Sequence, residues 1–438
     1  MQQKRTANAD ALTSAEALGI LQRSWPSTPY LIDRLFLPAV VELQAIGPLF
    51  DTSEKLESLE SDLHDQIDAA RMALEALAGY EINPDSPAQV RKLLFEELGL
   101  PIGQRSKKTG LPSADKGYLA EADHPVADML SLYREAKKLD STYIKVLPQN
   151  AAAHNGRIRT SYNNTRVETG RLSSGNRQRD PLSVNMQNIP KRGALGGQLR
   201  QFFIAPEGSL LYAIDASQFQ LRIAAVDAKD EAMIEAFARG GDYHAQTSID
   251  LFGHTAYRAL TKHLNFAMLF GASLARVIRT AVSLGLAPDR GLVEEAYGLF
   301  FEKRPQLARR VQEVHKFVAK YGYVDDWFGR RNVYDLSGTF GQRSHVLRES
   351  YNMMVQGPEA SVVKLASAMM LRRIARAGLN APLVIMVHDE IVFEVRKNVA
   401  EEFEGIIAAT EREINELLQW PVPVVLDVGK GPNWGVAH

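Results

Sequence analysis

The sequence predicts an α+β protein, a small antiparallel sheet flanked by two helical blocks. Two observations carry this. Apolar runs of strand length stand at Leu210–Ile214, Leu383–Val387 and Ile391–Val395, the last two separated by His388-Asp389-Glu390 as a charged hairpin tip. Helical periodicity occupies long stretches before and after the first of these runs.

The elements follow in order. Residues 1–29 are polar, with Pro26 and Pro29 near their end, and read as a short N-terminal extension with one helix, Ser14 to Arg23. Leu31 to Leu43 has helical spacing, with Pro38 set to kink or restart it. Glu54 to Leu77 is a long charged amphipathic stretch. After the break at Asn83-Pro84-Asp85, Ser86 is placed as an N-cap and Pro87 as the first helical residue. Gly99 and Pro101 end that helix. Residues 102–117 read as an exposed basic loop, and Pro125 to Leu139 as a helix. From Asn155 to Ser209 the composition turns to Arg, Asn, Ser, Thr and Gly, with short β-like pieces. Residues 210–214 form a buried strand, and 228–319 are mostly helical. Gly329 to Leu336 reads as a short hairpin or loop. Ser344 to Arg376 is a long helix interrupted at Gly357-Pro358. The hairpin around Asp389, a helix from Asn398 to Leu418 and a strand from Val422 to Val428 close the chain.

The bulk numbers are those of a soluble globular protein: 438 residues, 45% hydrophobic and 24% charged. The formal net charge of −1 gives no overall bias toward nucleic acid, so a basic groove must come from local clusters. Lys107-Lys108, Arg177 to Arg179, Lys191-Arg192 with Arg200, and Arg330-Arg331 are the candidates, each also readable as a solvated face. The absence of cysteine excludes disulfides, thiolate metal sites and a cysteine nucleophile. No apolar run approaches the roughly 18 residues that span a membrane. The N-terminus has no secretory h-region, which points to the cytoplasm.

The chemistry concentrates in two acid-bearing stretches and a cationic helix. Asp215 follows one apolar strand and Asp389 tips the hairpin. A lone Asp after a strand is usually a turn or cap residue. Two of them brought together could hold two Mg²⁺ ions about 4 Å apart for phosphoryl transfer. Glu390 is an outer ligand or support, and His388 either reaches a primer sugar or phosphate or makes a local turn bond. Arg258, Lys262, Phe266 and Phe270 recur every four residues and share one helix face, with Asn265 and Leu269 beside it. That face could serve a nucleoside triphosphate, or be the basic end of an ordinary amphipathic helix.

Three stretches, Asp215-x-Ser217-Gln218-x-x-Leu221-Arg222, Arg258-x3-Lys262-x2-Asn265-Phe266-x3-Phe270-Gly271 and Val387-His388-Asp389-Glu390, resemble in order the three polymerase motifs of family A DNA polymerases. Thr169 to Ser174 followed by Asn185-x-Gln187-Asn188-Ile189-Pro190 resembles the family's template–primer segment. Asp242-Tyr243-His244 resembles its finger-base histidine, and Phe328-Gly329-Arg330-Arg331 and Asn352-x3-Gln356-Gly357 its later palm and fingers segments. Leu98 to Pro101 and Ser141 to Ile144 resemble its thumb.

The resemblance runs from Tyr30 to Trp434 and implies a right-hand fold. Its parts would be a thumb at 30–154, palm at 155–227, fingers at 228–340 and a second part of the palm at 341–438. It implies Asp215 and Asp389 as metal ligands, helped by the carbonyl of Ala216. It implies Arg258, Lys262 and His244 on the triphosphate, with Phe266 stacked on the incoming base and sugar and Phe270, Gln220 and Gln218 around the nucleotide. Arg171, Asn185, Gln187, Asn188, Asn352, Gln356, His388 and Arg222 would lie along the primer–template, partly reading minor-groove acceptors common to all base pairs.

Several positions depart from the family's pattern. The usual gate glutamate is Gln220, and the usual tyrosine at the end of the fingers motif is Phe270, a matched loss of acceptor charge and hydroxyl. Ala216 replaces a tyrosine and Ala267 a glycine. Pro358-Glu359-Ala360-Ser361 replaces a small-residue and aspartate pattern. Gly175 to Val184 is longer than usual and basic, a template contact or a plain surface insertion.

The expected function is template-directed DNA polymerase chemistry: two-metal nucleotidyl transfer to a primer 3′ end. The cofactor is Mg²⁺, with Mn²⁺ as substitute, and the partners are DNA primer–template and dNTPs. The protein is expected to be a monomer in a bacterial or phage-infected cell, working with replication accessory proteins and not with a membrane. With about 29 residues before the thumb, no proofreading domain is expected, since domains rarely fall below roughly 50 residues. The alternatives are a polymerase with relaxed sugar selection that makes or extends RNA from rNTPs, and a catalytically silent accessory subunit that binds primer–template.

Overall fold

The computed structural model describes residues 27–437 except 104, 107, 108, 177, 191–193, 284 and 287–289. The helix expected at Ser14–Arg23, the pairs Lys107-Lys108 and Lys191-Arg192, and Arg177 lie outside the described residues. The chain forms two compact units. One holds residues 27–49, Arg159–Ile189 and 203–437; the other holds Phe50–Ile158 and Pro190–Phe202.

The first unit begins with helices α1 (Ser27–Leu35) and α2 (Leu37–Ala45). Pro38 sits in the first turn of α2, so the expected restart is realised: proline needs no intrahelical partner there. The second unit is helical. Its longest element, α3 (Glu54–Ala78), packs on α4 (Pro125–Leu139) through Leu56, Leu59, Leu63, Ile67 and Leu74 of α3. Ser86 caps the helix at Pro87–Arg91, accepting from the Gln89 amide. That helix passes directly into a π-turn at Lys92–Glu97, ahead of Gly99.

The first unit continues with the strand β1 (Ser209–Ala216), then α5 (Phe219–Ala228), α6 (Tyr243–Phe252), α7 (Arg258–Leu269) and α8 (Pro305–Tyr321). A short antiparallel hairpin pairs Tyr323–Asp325 with Arg331–Val333, starting before the Gly329 expected from sequence. Next come α9 (Phe340–Ala377), β2 (Leu383–Val387), β3 (Glu390–Arg396), α10 (Ala400–Leu418) and β4 (Leu426–Gly431). The four strands make one antiparallel sheet in the order β4-β1-β3-β2. This is the α+β class expected.

Two expectations are corrected. The long helix is not interrupted: α9 runs 38 residues straight through Pro358. An interior proline costs about 3 kcal/mol. Burial of Tyr351, Val355, Val362, Val363 and Leu365, and packing of α9 on α5, α8 and α10, outweigh it. The last strand begins at Leu426, since Val422 and Val424 are buried in the loop that precedes it.

β2 and β3 are buried along nearly their whole length, as their unbroken apolar sequences require. β2 is a sheet edge, and α2 packs against it. There the amide of Leu383 donates to Glu42 Oε1 at 2.9 Å, so the edge is capped from α2.

Candidate active site

The sheet register brings the two predicted acids to one end. Ile214 of β1 pairs with Ile391 of β3. Asp215 is the next residue along β1, and Asp389 lies just before β3 in the two-residue turn closed by the Val387–Glu390 pair. The apolar strands on either side fix both carboxylates to the sheet. Asp389 makes no hydrogen bond or ion pair with the described residues and is half-buried.

Left-handed backbone flanks both acids. His388 has φ +57° and Gln218, at the N-cap of α5, has φ +49°. Non-glycine residues adopt this region at a cost, and it recurs at functional sites. The turn at His388 is held from outside. Gln187 Oε1 accepts from the His388 amide at 3.0 Å, and Gln187 Nε2 donates to the Met386 carbonyl at 2.8 Å. Asn185 sets Gln187 in place by capping the short turn at Met186–Asn188, accepting from the Gln187 amide at 3.1 Å and from Ser174 Oγ at 3.1 Å. Asn188 is exposed.

Glu390 turns inward. It is 5% exposed and accepts from the indole nitrogen of the fully buried Trp434. That placement directs its carboxylate toward Trp434.

The cationic face forms as spaced. α7 buries Leu260, Thr261, Leu264, Asn265, Met268 and Leu269, which leaves Arg258 and Lys262 exposed and Phe266 half-buried on the opposite side. Phe270 ends the helix, also half-buried. Asp242 caps α6, accepting from the amides of His244 (2.9 Å) and Ala245 (3.3 Å), and takes a charge-assisted bond from Arg258 Nε. Burial opposes ionisation of Asp242, but Arg258 and the two amides keep its pKa below the usual value.

His244 is buried, with its ring 5.8 Å from that of Phe266. Asn265 Nδ2 approaches its Nδ1 at 3.0 Å, which leaves the ring proton for Nε2. Burial pushes its pKa down to about 4, so the imidazole is neutral at pH 7.

Two motifs far apart in sequence meet at Gly170. A side chain there would put its Cβ 2.6 Å from Arg330 Cζ, and the backbone has φ +75°, so only glycine fits. Arg330 pairs with Asp33 at 3.2 Å, and Arg331 with Asp325 at 2.7 Å. Arg200 is buried, donating to the Pro190 carbonyl at 3.2 Å. Arg330 and Arg200 are paired inside the fold, while Arg331 makes an exposed pair.

Arg222 is buried as well. It is 4% exposed, donates to the carbonyls of Ser217 (2.8 Å) and Pro423 (3.0 Å), and lies 4.7 Å from the centre of the Phe237 ring. It ties the loop after β1 to the loop before β4. Asn352 and Gln356 lie half-buried on α9. Arg171 donates to Glu359, also on α9.

Sequence reasoning missed two acids. Asp242 carried an N-cap signal in Gly240-Gly241-Asp242, but its pairing with Arg258 is tertiary. Asp427 lies directly across from Asp215 on β4, visible only once the register is known.

The chain matches the family model for DNA polymerase family A over residues 53–436. The chain belongs to DNA polymerase family A. It is 34% identical over 414 residues to a thermostable DNA polymerase I from Thermus filiformis, covering 92% of this chain and 47% of that protein. It is 33% identical over 426 residues to DNA polymerase I of Pseudomonas aeruginosa, covering 93% and 44%. The chain thus spans about half the length of the curated relatives it matches. Among solved structures it is similar to the POL domain of Pol1 from M. smegmatis, in complex with DNA primer-template and dNTP. There the TM-score is 0.77 at 29% identity, covering 92% of this chain and 70% of that one. No described helix of this family A chain is long and apolar enough to cross a membrane.

Proposed function

We propose that this family A chain is a template-directed DNA polymerase that extends a primer 3′ end with dNTPs. The observation that carries the reading is the register Ile214–Ile391, which brings Asp215 and the turn bearing Asp389 to the same end of the sheet. Family membership and the exposed Arg258–Lys262 face support it.

The residues fit a magnesium site. The donor set is all oxygen, and Asp389 is not neutralised by any described cation. Asp215, Asp389 and the Ala216 carbonyl would hold the ions. When bound, the metal supplies Lewis-acid stabilisation of the attacking and leaving oxygens. Mn²⁺ is the expected substitute.

The remaining residues bind and orient. Arg258 and Lys262 neutralise the triphosphate, with Asp242 fixing the guanidinium of Arg258. Neutral His244 offers its Nε2 proton as a donor beside Phe266, and Phe266 gives the base and sugar a ring to stack on. Gln220 and Phe270 border the sugar. Arg171, Asn352 and Gln356 face the primer–template, and Gln187 and Asn185 act there through the hairpin tip they hold. The thumb corresponds to the helical residues from Tyr30 to His154, the fingers to 228–340, and the palm to the sheet-bearing remainder.

One observation favours a second reading, relaxed sugar selection. Gln220 lacks the charge, and Phe270 the hydroxyl, that the family's gate pair carries.

The test is primer extension on a DNA template with Mg²⁺, using dNTPs or rNTPs in parallel and Asp389→Ala as the blank. Extension with dNTPs that Asp389→Ala abolishes is the expected result. Comparable extension with rNTPs would favour the second reading. Binding of primer–template without extension would leave an accessory role.

A further inference from the structure

The helical second unit carries a cluster that no part of the polymerase reading uses. Glu60 and His64 stand four residues apart on α3, so they share one face of that helix. Asp140, the first residue after α4, opens the π-turn Asp140–Ile144 and is 2% exposed. Its Oδ1 lies 3.2 Å from His64 Nε2, and its Oδ2 takes a 2.7 Å ion pair from Lys145 Nζ. One ligand atom each from Glu60, His64 and Asp140 falls within 4.8 Å of the other two. Among the described residues no other group of three or more His, Asp or Glu side chains converges in this way.

The donors select the ion. A carboxylate as deeply buried as Asp140 is costly unless it is paired. Lys145 pairs one of its oxygens and leaves the other facing His64. Glu60 adds its own charge near the same ammonium. With the imidazole neutral, two carboxylates face one ammonium, and the cluster is net negative. One imidazole nitrogen with two carboxylate oxygens suits Zn²⁺, whereas Mg²⁺ takes oxygen ligands and keeps its water. Tetrahedral zinc with bonds of about 2.0–2.2 Å sets neighbouring ligand atoms roughly 3.3–3.6 Å apart. The His64–Asp140 separation of 3.2 Å is already close to that edge. Glu60, half-buried on the next turn of α3, closes the remaining distance by side-chain rotation. Lys145 acts from outside the ligand shell, fixing the Asp140 carboxylate by its other oxygen.

We propose that Glu60, His64 and Asp140 form a zinc site that pins α3 to the turn after α4, with water in the fourth position. Its ion is not the magnesium of the proposed reaction, and the site stands whether or not the chain extends primers.

The test titrates Zn²⁺ alone into the full chain by calorimetry, in buffer holding Mg²⁺ in excess, and follows thermal melting in parallel. His64→Ala and Glu60→Gln should each weaken one Zn²⁺ site by about a hundredfold. Asp389→Ala should keep that site, which separates it from the catalytic acids. Zn²⁺ should raise the melting temperature of the unsubstituted chain and of Asp389→Ala, and leave that of His64→Ala where it was. Glu60→Gln keeps the shape of its side chain and carries the test if removing His64 disturbs folding. Absence of Zn²⁺ binding by the unsubstituted chain would overturn the proposal. So would titrations that are the same for the unsubstituted chain, His64→Ala and Glu60→Gln. Loss of the site in Asp389→Ala alone would also overturn it, by assigning the zinc to the catalytic acids.

Discussion

Gln187 grips the turn beside Asp389 from both sides of its peptide chain, accepting from the His388 amide at 3.0 Å and donating to the Met386 carbonyl at 2.8 Å. A side chain expected along the primer–template holds the left-handed turn next to Asp389. Replacing Gln187 with Ala removes both bonds. Single-nucleotide addition at saturating dNTP should slow about tenfold to a hundredfold, a loss of about 1.4–2.7 kcal/mol in the transition state. Melting should move by only a few degrees, because the strands on each side remain paired. An unchanged kcat would show that β2 and β3 hold the tip unaided.

Asp242 offers a separation of charge from structure. Asparagine is as good an N-cap as aspartate, so Asp242→Asn should keep α6 intact. It removes only the negative partner of Arg258. The KM for dNTP should rise about threefold to tenfold while primer–template affinity stays level. Equal weakening of both would assign Asp242 to the fold alone.

His244 makes stability depend on pH in a defined direction. Its folded pKa, about 4, lies below the unfolded 6.5. Between those values the unfolded chain binds a proton that the folded chain does not, so stability falls as pH drops from 6.5 to 4. The loss attributable to this ring reaches about 2–3 kcal/mol. Urea unfolding at pH 7 and pH 4.5 should show a steeper loss for the unsubstituted chain than for His244→Gln. Parallel losses would mean that the ring is protonated without penalty in the fold.

Asp33 neutralises two cations at once. Lys364 Nζ, almost wholly buried, reaches Asp33 Oδ1 at 2.6 Å, and Arg330 pairs with Oδ2 at 3.2 Å. Burial lowers the pKa of Lys364 to about 8 even with this partner. Asp33→Ala should destabilise the protein by about 3–5 kcal/mol, since it strands a buried ammonium. Adding Lys364→Met should recover part of that loss in the same urea titration. No recovery would place the cost in Arg330.

Much of this chain was legible as a sequence because local rules decide it. Ser86-Pro87 announced a cap and a first turn, Pro38 a restart, and Leu383–Val387 with Ile391–Val395 a buried hairpin. The four-residue spacing of Arg258, Lys262 and Phe266 put them on one face before any fold was known, because a helix has only one period. What tertiary structure alone decided is which polar groups meet. Arg222 and Arg330 look like nucleic-acid cations in a string of letters, yet their partners, the Pro423 carbonyl and Asp33, lie hundreds of residues away in sequence. Gln187 finds His388 and Glu359 finds Arg171 in the same way, and Asp242 meets Arg258 from the neighbouring helix. Pro358 should have broken α9 by its own chemistry, and the buried side chains around it prevailed. Periodicity and capping are short-range and survive in one dimension; the pairing of buried charges and amides depends on which distant segments the packed core presses together.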